Sequence, residues 1–237
     1  MTELRTPRFA QRAAYAGAAG GVLAFWCGML IAARSYPSEY DWRYMTISSL
    51  VYAERNPNGH WWASGGIALC GLAGLCWTAV LMRQGRQAPG RVGIWVLGLG
   101  YLCMMWCALL PERLLRIPKS HDALALAAFV GICVGMVHAT LRAATPRGVQ
   151  RGELSGSARL GPVIFAGAAL APIVLAALAQ AYVSYELPEL KWVNLAWRAR
   201  GVPLYLSFAF WEWVTCAVFS VYMVALARNT LAECRSS

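Results

Sequence analysis

Charged side chains are scarce in this sequence. Asp, Glu, Lys and Arg make up only 14% of its 237 residues, whereas soluble domains contain about 25%. Hydrophobic residues reach 59%, so the composition excludes an ordinary soluble domain. The 21 basic residues outnumber the 11 acidic ones, but the arginines are spread over every loop rather than gathered in a patch or an arm. That distribution argues against nucleic acid as a partner.

The motifs of several common enzyme and metal sites are absent from the sequence. It contains no Gly-rich phosphate loop, no GxSxG, no HExxH and no CxxC pair. The eight cysteines match no zinc spacing, and all but Cys234 fall in apolar stretches. In such stretches cysteine packs as a small hydrophobic residue. We therefore expect no metal and no cofactor, and we interpret the cysteines as packing residues.

Six long stretches that are nearly free of charge follow one another along the chain. A helix needs about 20 apolar residues to cross a bilayer core of roughly 30 Å, and backbone polar groups inside lipid must be bonded within helices. The sequence therefore predicts an all-α protein, a polytopic bundle of six transmembrane helices that forms a single membrane domain over residues 1–237. Glycines four apart, Gly17 with Gly21 and Gly131 with Gly135, indicate close helix packing. The predicted spans are 13–33, 61–82, 92–111, 123–141, 161–183 and 204–227.

The distribution of basic residues between the loops predicts the orientation. With the N-terminus inside, twelve Lys and Arg residues lie on the cytoplasmic side and nine on the other. The positive-inside rule then favours both termini in the cytoplasm, that is, N-in and C-in. We expect the plasma membrane, or the bacterial inner membrane if the chain is prokaryotic. Residues 184–203, rich in Trp and Arg on the non-cytoplasmic side, are typical of an interfacial helix.

One acidic residue, Glu212, interrupts the last apolar stretch. A carboxylate within the hydrocarbon region costs several kcal/mol unless it is paired, hydrogen-bonded or protonated. Glu212 is either a structural carboxyl bonded to a neighbouring helix, or a proton carrier, an acid–base group or a headgroup contact. The sequence leaves these alternatives open.

Two histidines open predicted spans at the non-cytoplasmic interface. His60 begins the second span and His121 begins the fourth, with Asp122 directly after it. A histidine lying beside lipid headgroups is as good an interpretation as a functional site. If the protein is an enzyme, its predicted catalytic residues are Glu212, His121, Asp122 and His60, which would supply acid–base chemistry.

Polar and basic residues of the outer connections are candidates for ligand binding. Basic side chains beside an outer carboxylate can hold a phosphate or an anionic headgroup, although such a cluster is usually only a solvated rim. The expected ligand-binding residues are Arg43, Ser48, Ser49, Asn56, Arg113 and Arg116.

Three short motifs resemble those of a known membrane-protein family. They are the stretch from Tyr44 to Leu50 with Asn56-Pro57 after it, His121-Asp122 with Leu126 and Phe129 after it, and Glu212-Trp213. Their order and placement are similar to those of the six-span damage-regulated autophagy modulators (the DRAM family) and of related bacterial proteins. The resemblance implies a link to lipid handling, GPI-anchor maturation or autophagy. Ser49 stands where that family usually has an acid, so no role of the acid is carried over.

Three functions are compatible with these features. The first is a lipid-handling or lipid-sensing protein with a polar site at the non-cytoplasmic face. The second is an intramembrane enzyme in which His and Glu act on a lipid-like substrate. The third is a proton-coupled transporter that uses Glu212, although the broken helices and inverted repeats typical of transporters are not visible. The expected partners are membrane lipids, and a homo-oligomer is left open.

Overall fold

The computed structural model of the chain describes residues 6–83, 88–110, 120–143, 157–187 and 196–233. Over these ranges the secondary structure is helical, and no β-strand occurs in them. A short 3₁₀ turn, Leu204–Leu206, precedes the last helix. The helices are α1 (Thr6–Arg34), α2 (Ile47–Val51), α3 (His60–Arg83), α4 (Ala88–Leu109), α5 (Ser120–Ala143), α6 (Ser157–Glu186), α7 (Ala196–Ala199) and α8 (Phe208–Glu233).

The long helices confirm the predicted six-span, all-α fold. The last span starts at Phe208 and not at residue 204, because the chain after Pro203 first makes the 3₁₀ turn. The chain is therefore an integral membrane protein. Within the described ranges, the helices long and apolar enough to cross a membrane are Arg12–Arg34, His60–Arg83, Arg91–Leu109, Ser120–Thr140, Ala166–Glu186 and Phe208–Arg228.

The six spanning helices close into a ring. α1 packs between α3 and α8, α4 packs between α3 and α5, and α6 packs between α5 and α8. Across the interior, the Tyr222 hydroxyl of α8 donates a hydrogen bond to the carbonyl oxygen of Met136 in α5. The largest fully buried side chains of the spanning helices include Trp77, Tyr222, Met29, Leu97 and Met136.

Neighbouring helices approach so closely in places that only glycine fits between them. A Cβ atom at Gly66 of α3 would lie 2.8 Å from the carbonyl oxygen of Ala24 in α1. Such approaches let membrane helices pack through van der Waals contact, since lipid provides no hydrophobic driving force between them. Of the predicted glycine pairs, Gly131 and Gly135 both face α4, Gly21 faces α3, and a Cβ at Gly17 would meet nothing within 4 Å.

The connections at one end of the bundle fold into a cap, a name we use for residues 35–59 and 196–207. Its short helix α2 packs on α1, α3 and α8, and the 3₁₀ turn packs on α6 and α8. The interfacial helix predicted over 184–203 is not a single element in the described residues, which hold the end of α6 and the four-residue α7. Trp197 of α7 is fully buried among apolar side chains and so is not exposed to lipid headgroups.

Candidate functional site

The buried side chain of Asn56 joins the cap to the spanning helix α1. Its Nδ2 donates to the carbonyl oxygens of Ala32 (3.0 Å) and Leu50 (3.3 Å), and its Oδ1 accepts from the N–H of Gly59 at 3.1 Å. The ring Nδ1 of His60 lies 3.1 Å from the carbonyl oxygen of Asn56. The structure therefore places Asn56 inside the cap and His60 against the turn that begins α3.

Asp41 is the centre of a charged network within the cap. Arg43 binds both of its carboxylate oxygens, at 2.7 and 3.0 Å, and Arg198 of α7 approaches Oδ2 at 3.2 Å. Burial alone would raise the pKa of the Asp41 carboxyl, but the hydrogen bonds and the charge of Arg43 outweigh it and hold that pKa below its ordinary value. Arg43, expected to bind a ligand, is thus paired with Asp41 and links the two segments of the cap.

Glu212 and Trp213 of α8 form hydrogen bonds with the cap segment that leads into α2. The Oε2 atom of Glu212 accepts a hydrogen bond of 3.0 Å from the backbone N–H of Ile47. The indole Nε1 of Trp213 donates to the carbonyl oxygen of Met45 at 3.3 Å. The Tyr40 hydroxyl donates to that same oxygen at 2.9 Å. The Glu-Trp pair and the Met45-Thr46-Ile47 stretch, which lie far apart in the sequence, therefore meet at one site.

Hydroxyl groups of α2 and its preceding residue form a small cluster beside this contact. The Thr46 Oγ1 atom lies 2.7 Å from the Ser48 hydroxyl and 3.3 Å from the Ser49 hydroxyl. Nη1 of Arg55 donates to the Ser49 hydroxyl at 3.3 Å, and the Arg55 guanidinium lies 5.6 Å from the centroid of the Tyr52 ring. Arg55 itself is exposed.

His121 is buried in the first turn of α5 and contacts a thiol of α4. The Sγ atom of Cys107 lies 3.3 Å from Nδ1 and 3.7 Å from Nε2 of the His121 ring. The ring also packs against Tyr52 of the cap, with 4.8 Å between the ring centroids and an angle of 48° between the ring planes. Asp122 is exposed, in accordance with the turn of about 100° between adjacent helix residues.

Three of the four predicted catalytic residues lie in the neighbourhood of Cys107, and one of them, His121, contacts it. The carboxyl groups of Glu212 and Asp122 lie within electrostatic range of the Cys107 sulfur, which touches His121. His60 instead has its Nδ1 against carbonyl oxygens of its own turn. Ser48 and Ser49 follow Ile47, the residue of α2 whose N–H binds Glu212. Arg113 and Arg116 lie outside the described residues. No group of His, Cys, Asp and Glu in the described ranges could hold a metal ion.

Three residues of this site were missed by sequence reasoning: Tyr52, Arg55 and Cys107. A signal for Cys107 was present, because the last turn of one span and the first turn of the next lie at the same membrane face. Cys107 and His121 occupy those two turns. Arg55 and Tyr52 had no such signal, since a connection as long as 35–59 can fold in many ways.

The comparisons with known proteins identify the family. The chain belongs to the family described as a protein of unknown function, DUF998, whose sequence model matches residues 18–229. No curated protein and no solved structure matches the chain. The similarity to DRAM proteins therefore rests on the short motifs alone.

Proposed function

We propose that this member of the DUF998 family is a lipid-handling protein that binds the anionic headgroup of a lipid where the cap meets the bundle. The observation that carries the proposal is the placement of Arg55. Its side chain is exposed. Its guanidinium nevertheless donates a hydrogen bond to the Ser49 hydroxyl and lies over the Tyr52 ring. A phosphate at this point would lie beside a positive charge that is already oriented.

Arginine suits this role because of its shape and charge. The planar guanidinium presents five N–H donors in a fork that matches two phosphate oxygens. In the cap, Arg43 and Arg198 both direct donors to Asp41. Arg55 directs Nη1 to a neutral hydroxyl instead, so its charge is not neutralised by that contact. The bond between Glu212 and Ile47 holds the helix that carries Ser49.

Exposed aromatic residues support a position of the cap at the membrane interface. Trp42 of the cap is exposed, and so are Trp61 and Trp62 in the first turn of α3. Tryptophan is enriched at headgroup depth, where its ring contacts hydrocarbon and its N–H contacts water. A headgroup site at Arg55 would therefore be at the depth of lipid phosphates. The distribution of basic residues between the loops favours the non-cytoplasmic side for this interface, and we include that side in the proposal.

Binding of a short-chain lipid to the purified protein tests this function. Dihexanoyl-phosphatidylglycerol should raise the thermal unfolding midpoint in detergent, and dihexanoyl-phosphatidylcholine should do so much less. Arg55→Gln should weaken phosphatidylglycerol binding about tenfold, since a hydrogen bond to a charged group contributes about 1.5–3 kcal/mol. Arg34→Gln is the matched control. Arg34 is an exposed arginine at the end of α1 that leads into the cap, and this variant should bind phosphatidylglycerol as the wild type does. Equal binding by the Arg55 variant, or equal binding of both lipids, would overturn the proposal.

An intramembrane enzyme acting on a lipid is the second candidate. The contact between Cys107 and His121, with Glu212 within electrostatic range, favours it. The two candidates are compatible, because an enzyme must also hold the headgroup of its substrate.

A further inference from the structure

Three hydroxyl groups of the cap form a chain that starts at Arg55 and ends at Ser48. Nη1 of Arg55 donates to the Ser49 hydroxyl at 3.3 Å. The Ser49 oxygen lies 3.3 Å from Oγ1 of Thr46, and that atom lies 2.7 Å from the Ser48 oxygen. Thr46 and Ser49 are buried, whereas Ser48 is half-buried. The chain therefore joins an exposed cation to a partly accessible hydroxyl through two buried ones.

The charge of Arg55 favours one direction for the hydrogen bonds along this chain. Each hydroxyl has one hydrogen to donate and two lone pairs. Because the Ser49 oxygen accepts from a cation, its own O–H becomes a better donor to Thr46, and Thr46 then donates to Ser48, since hydrogen bonds in a chain polarise one another. Among the described residues, the Ser48 side chain has no second hydrogen-bond partner. Its hydrogen is thus available to an acceptor on a ligand.

We infer that the lipid bound at Arg55 carries a hydroxyl group in its headgroup, and that Ser48 binds this hydroxyl. The inference rests on the headgroup site proposed above and names the class of lipid that this site selects. Two hydroxyls separate Arg55 from Ser48 along the chain, so the phosphate on Arg55 and the group on Ser48 are neighbouring parts of one headgroup. In a glycerol headgroup the hydroxyls follow the phosphate by a few covalent bonds, which suits this separation.

The chemistry of Ser48 and its surroundings favours a neutral hydroxyl over other headgroup atoms. The ammonium group of an ethanolamine or choline headgroup has no lone pair, so it cannot accept the Ser48 hydrogen. A second phosphate could accept it but would require a further cation, and two other arginines of the cap, Arg43 and Arg198, bind Asp41 instead. A hydroxyl both accepts and donates, and it adds no charge.

The backbone that carries the chain is held in place before any ligand binds. The N–H of Ile47, between Thr46 and Ser48, donates to Glu212 at 3.0 Å. The Tyr40 hydroxyl lies 3.0 Å from the carbonyl oxygen of Thr46. Binding therefore does not have to order this segment, and a hydrogen bond to Ser48 can contribute to affinity without that entropic cost.

The test compares two lipids of equal charge that bind to the purified full-length protein in detergent. Dihexanoyl-phosphatidylglycerol has headgroup hydroxyls, whereas dihexanoyl-phosphatidylpropanol has the same phosphate and carbon skeleton without them. Titration calorimetry should show phosphatidylglycerol binding about three- to tenfold more tightly, the contribution of one hydrogen bond between neutral groups. Ser48→Ala should bind both lipids with equal affinity, and Ser48→Thr, which keeps a hydroxyl, should retain the preference. Ser38→Ala, at an exposed serine of the cap, is the matched control and should also retain it.

Equal affinities of the wild type for the two lipids, or a preference for phosphatidylglycerol that survives Ser48→Ala, would overturn the inference. If the two lipids bind equally and both lose affinity in Arg55→Gln, the hydroxyl contact is rejected and the headgroup site is kept. If neither lipid binds to the wild type, both are rejected. If Ser48→Ala does not fold, Thr46→Val replaces it, because this variant removes the hydroxyl that donates to Ser48 and should reduce the preference. A full preference in Thr46→Val would then contradict the inference.

Discussion

The carboxylate of Glu212 accepts a hydrogen bond of 3.0 Å from the backbone N–H of Ile47. Glu212 lies in the last spanning helix, whereas Ile47 begins the short helix α2 of the cap. This one contact joins the membrane-embedded part of the protein to the segment that carries Ser49 and leads to Arg55. It gives a carboxyl group within the membrane the hydrogen-bond partner that such a group needs.

Substitution of Glu212 should reveal its part in holding the cap. Glu212→Ala leaves the Ile47 N–H without this acceptor and should lower the free energy of unfolding by about 1–3 kcal/mol. Glu212→Gln keeps an acceptor oxygen and should cost less than the alanine change. Thermal unfolding in detergent measures both, with Glu39→Ala at an exposed cap residue as the control. A Glu212→Ala variant as stable as the wild type would show that the contact contributes nothing. A Gln variant that folds normally but no longer binds phosphatidylglycerol would assign the charge a direct role.

Acidification should weaken the cap through Asp41. Because Arg43 holds the Asp41 pKa below its ordinary value, the folded protein binds a proton here less readily than the unfolded chain does. The stabilisation is therefore complete above the ordinary Asp pKa of about 3.9 and is lost as pH falls through the lower pKa of the folded state. Asp41→Asn should lower the unfolding midpoint by a few degrees at pH 7, and its curve should approach that of the wild type only as pH falls through the lowered pKa of the folded state. If the unfolding midpoints of the wild type and Asp41→Asn differed by the same amount at every pH, this account would be contradicted. Glu39→Gln is the control substitution of a carboxyl group.

Two adjacent glycines of α3 should respond differently to a methyl group. A Cβ at Gly66 would lie 2.8 Å from the Ala24 carbonyl oxygen of α1, whereas a Cβ at Gly65 would meet nothing within 4 Å. Gly66→Ala should therefore force α1 and α3 apart and cost about 1–3 kcal/mol, as overpacking usually does. Gly65→Ala should be neutral or slightly stabilising, because alanine favours helix more than glycine does. Equal unfolding midpoints for the two variants would mean that the helices are not in this close contact.

The side of the membrane on which the cap lies can be tested by labelling. A membrane-impermeant maleimide added to intact cells should react with a cysteine introduced at Glu54 of the cap, and not with one introduced at Arg83 at the other end of α3. Both positions are exposed. The wild type, with its native cysteines, gives the background. Reaction at position 83 alone would place the cap, and with it the proposed headgroup site, in the cytoplasm.

The amino-acid sequence by itself determined the six spans, because crossing a bilayer depends on local properties of each segment. A stretch of about 20 uncharged residues must form a helix in lipid, whatever its neighbours are. The positions of His121, Asp122 and Glu212 near one membrane face followed from the same count along the chain. The sequence also indicated that Glu212 would need a partner, since an isolated carboxylate in lipid is costly.

Only the tertiary structure decided which partners these residues have. A helix that is apolar on all sides gives no sign of which face is buried, so the sequence could not show that Cys107 turns toward His121. That rotation is set by close packing between α4 and α5, which depends on both helices together. The contact between Glu212 and Ile47 likewise requires the fold of the 35–59 connection, whose backbone follows no periodic pattern. The polar groups of the site are thus brought together by packing between helices and by the cap, and not by the properties of any one segment.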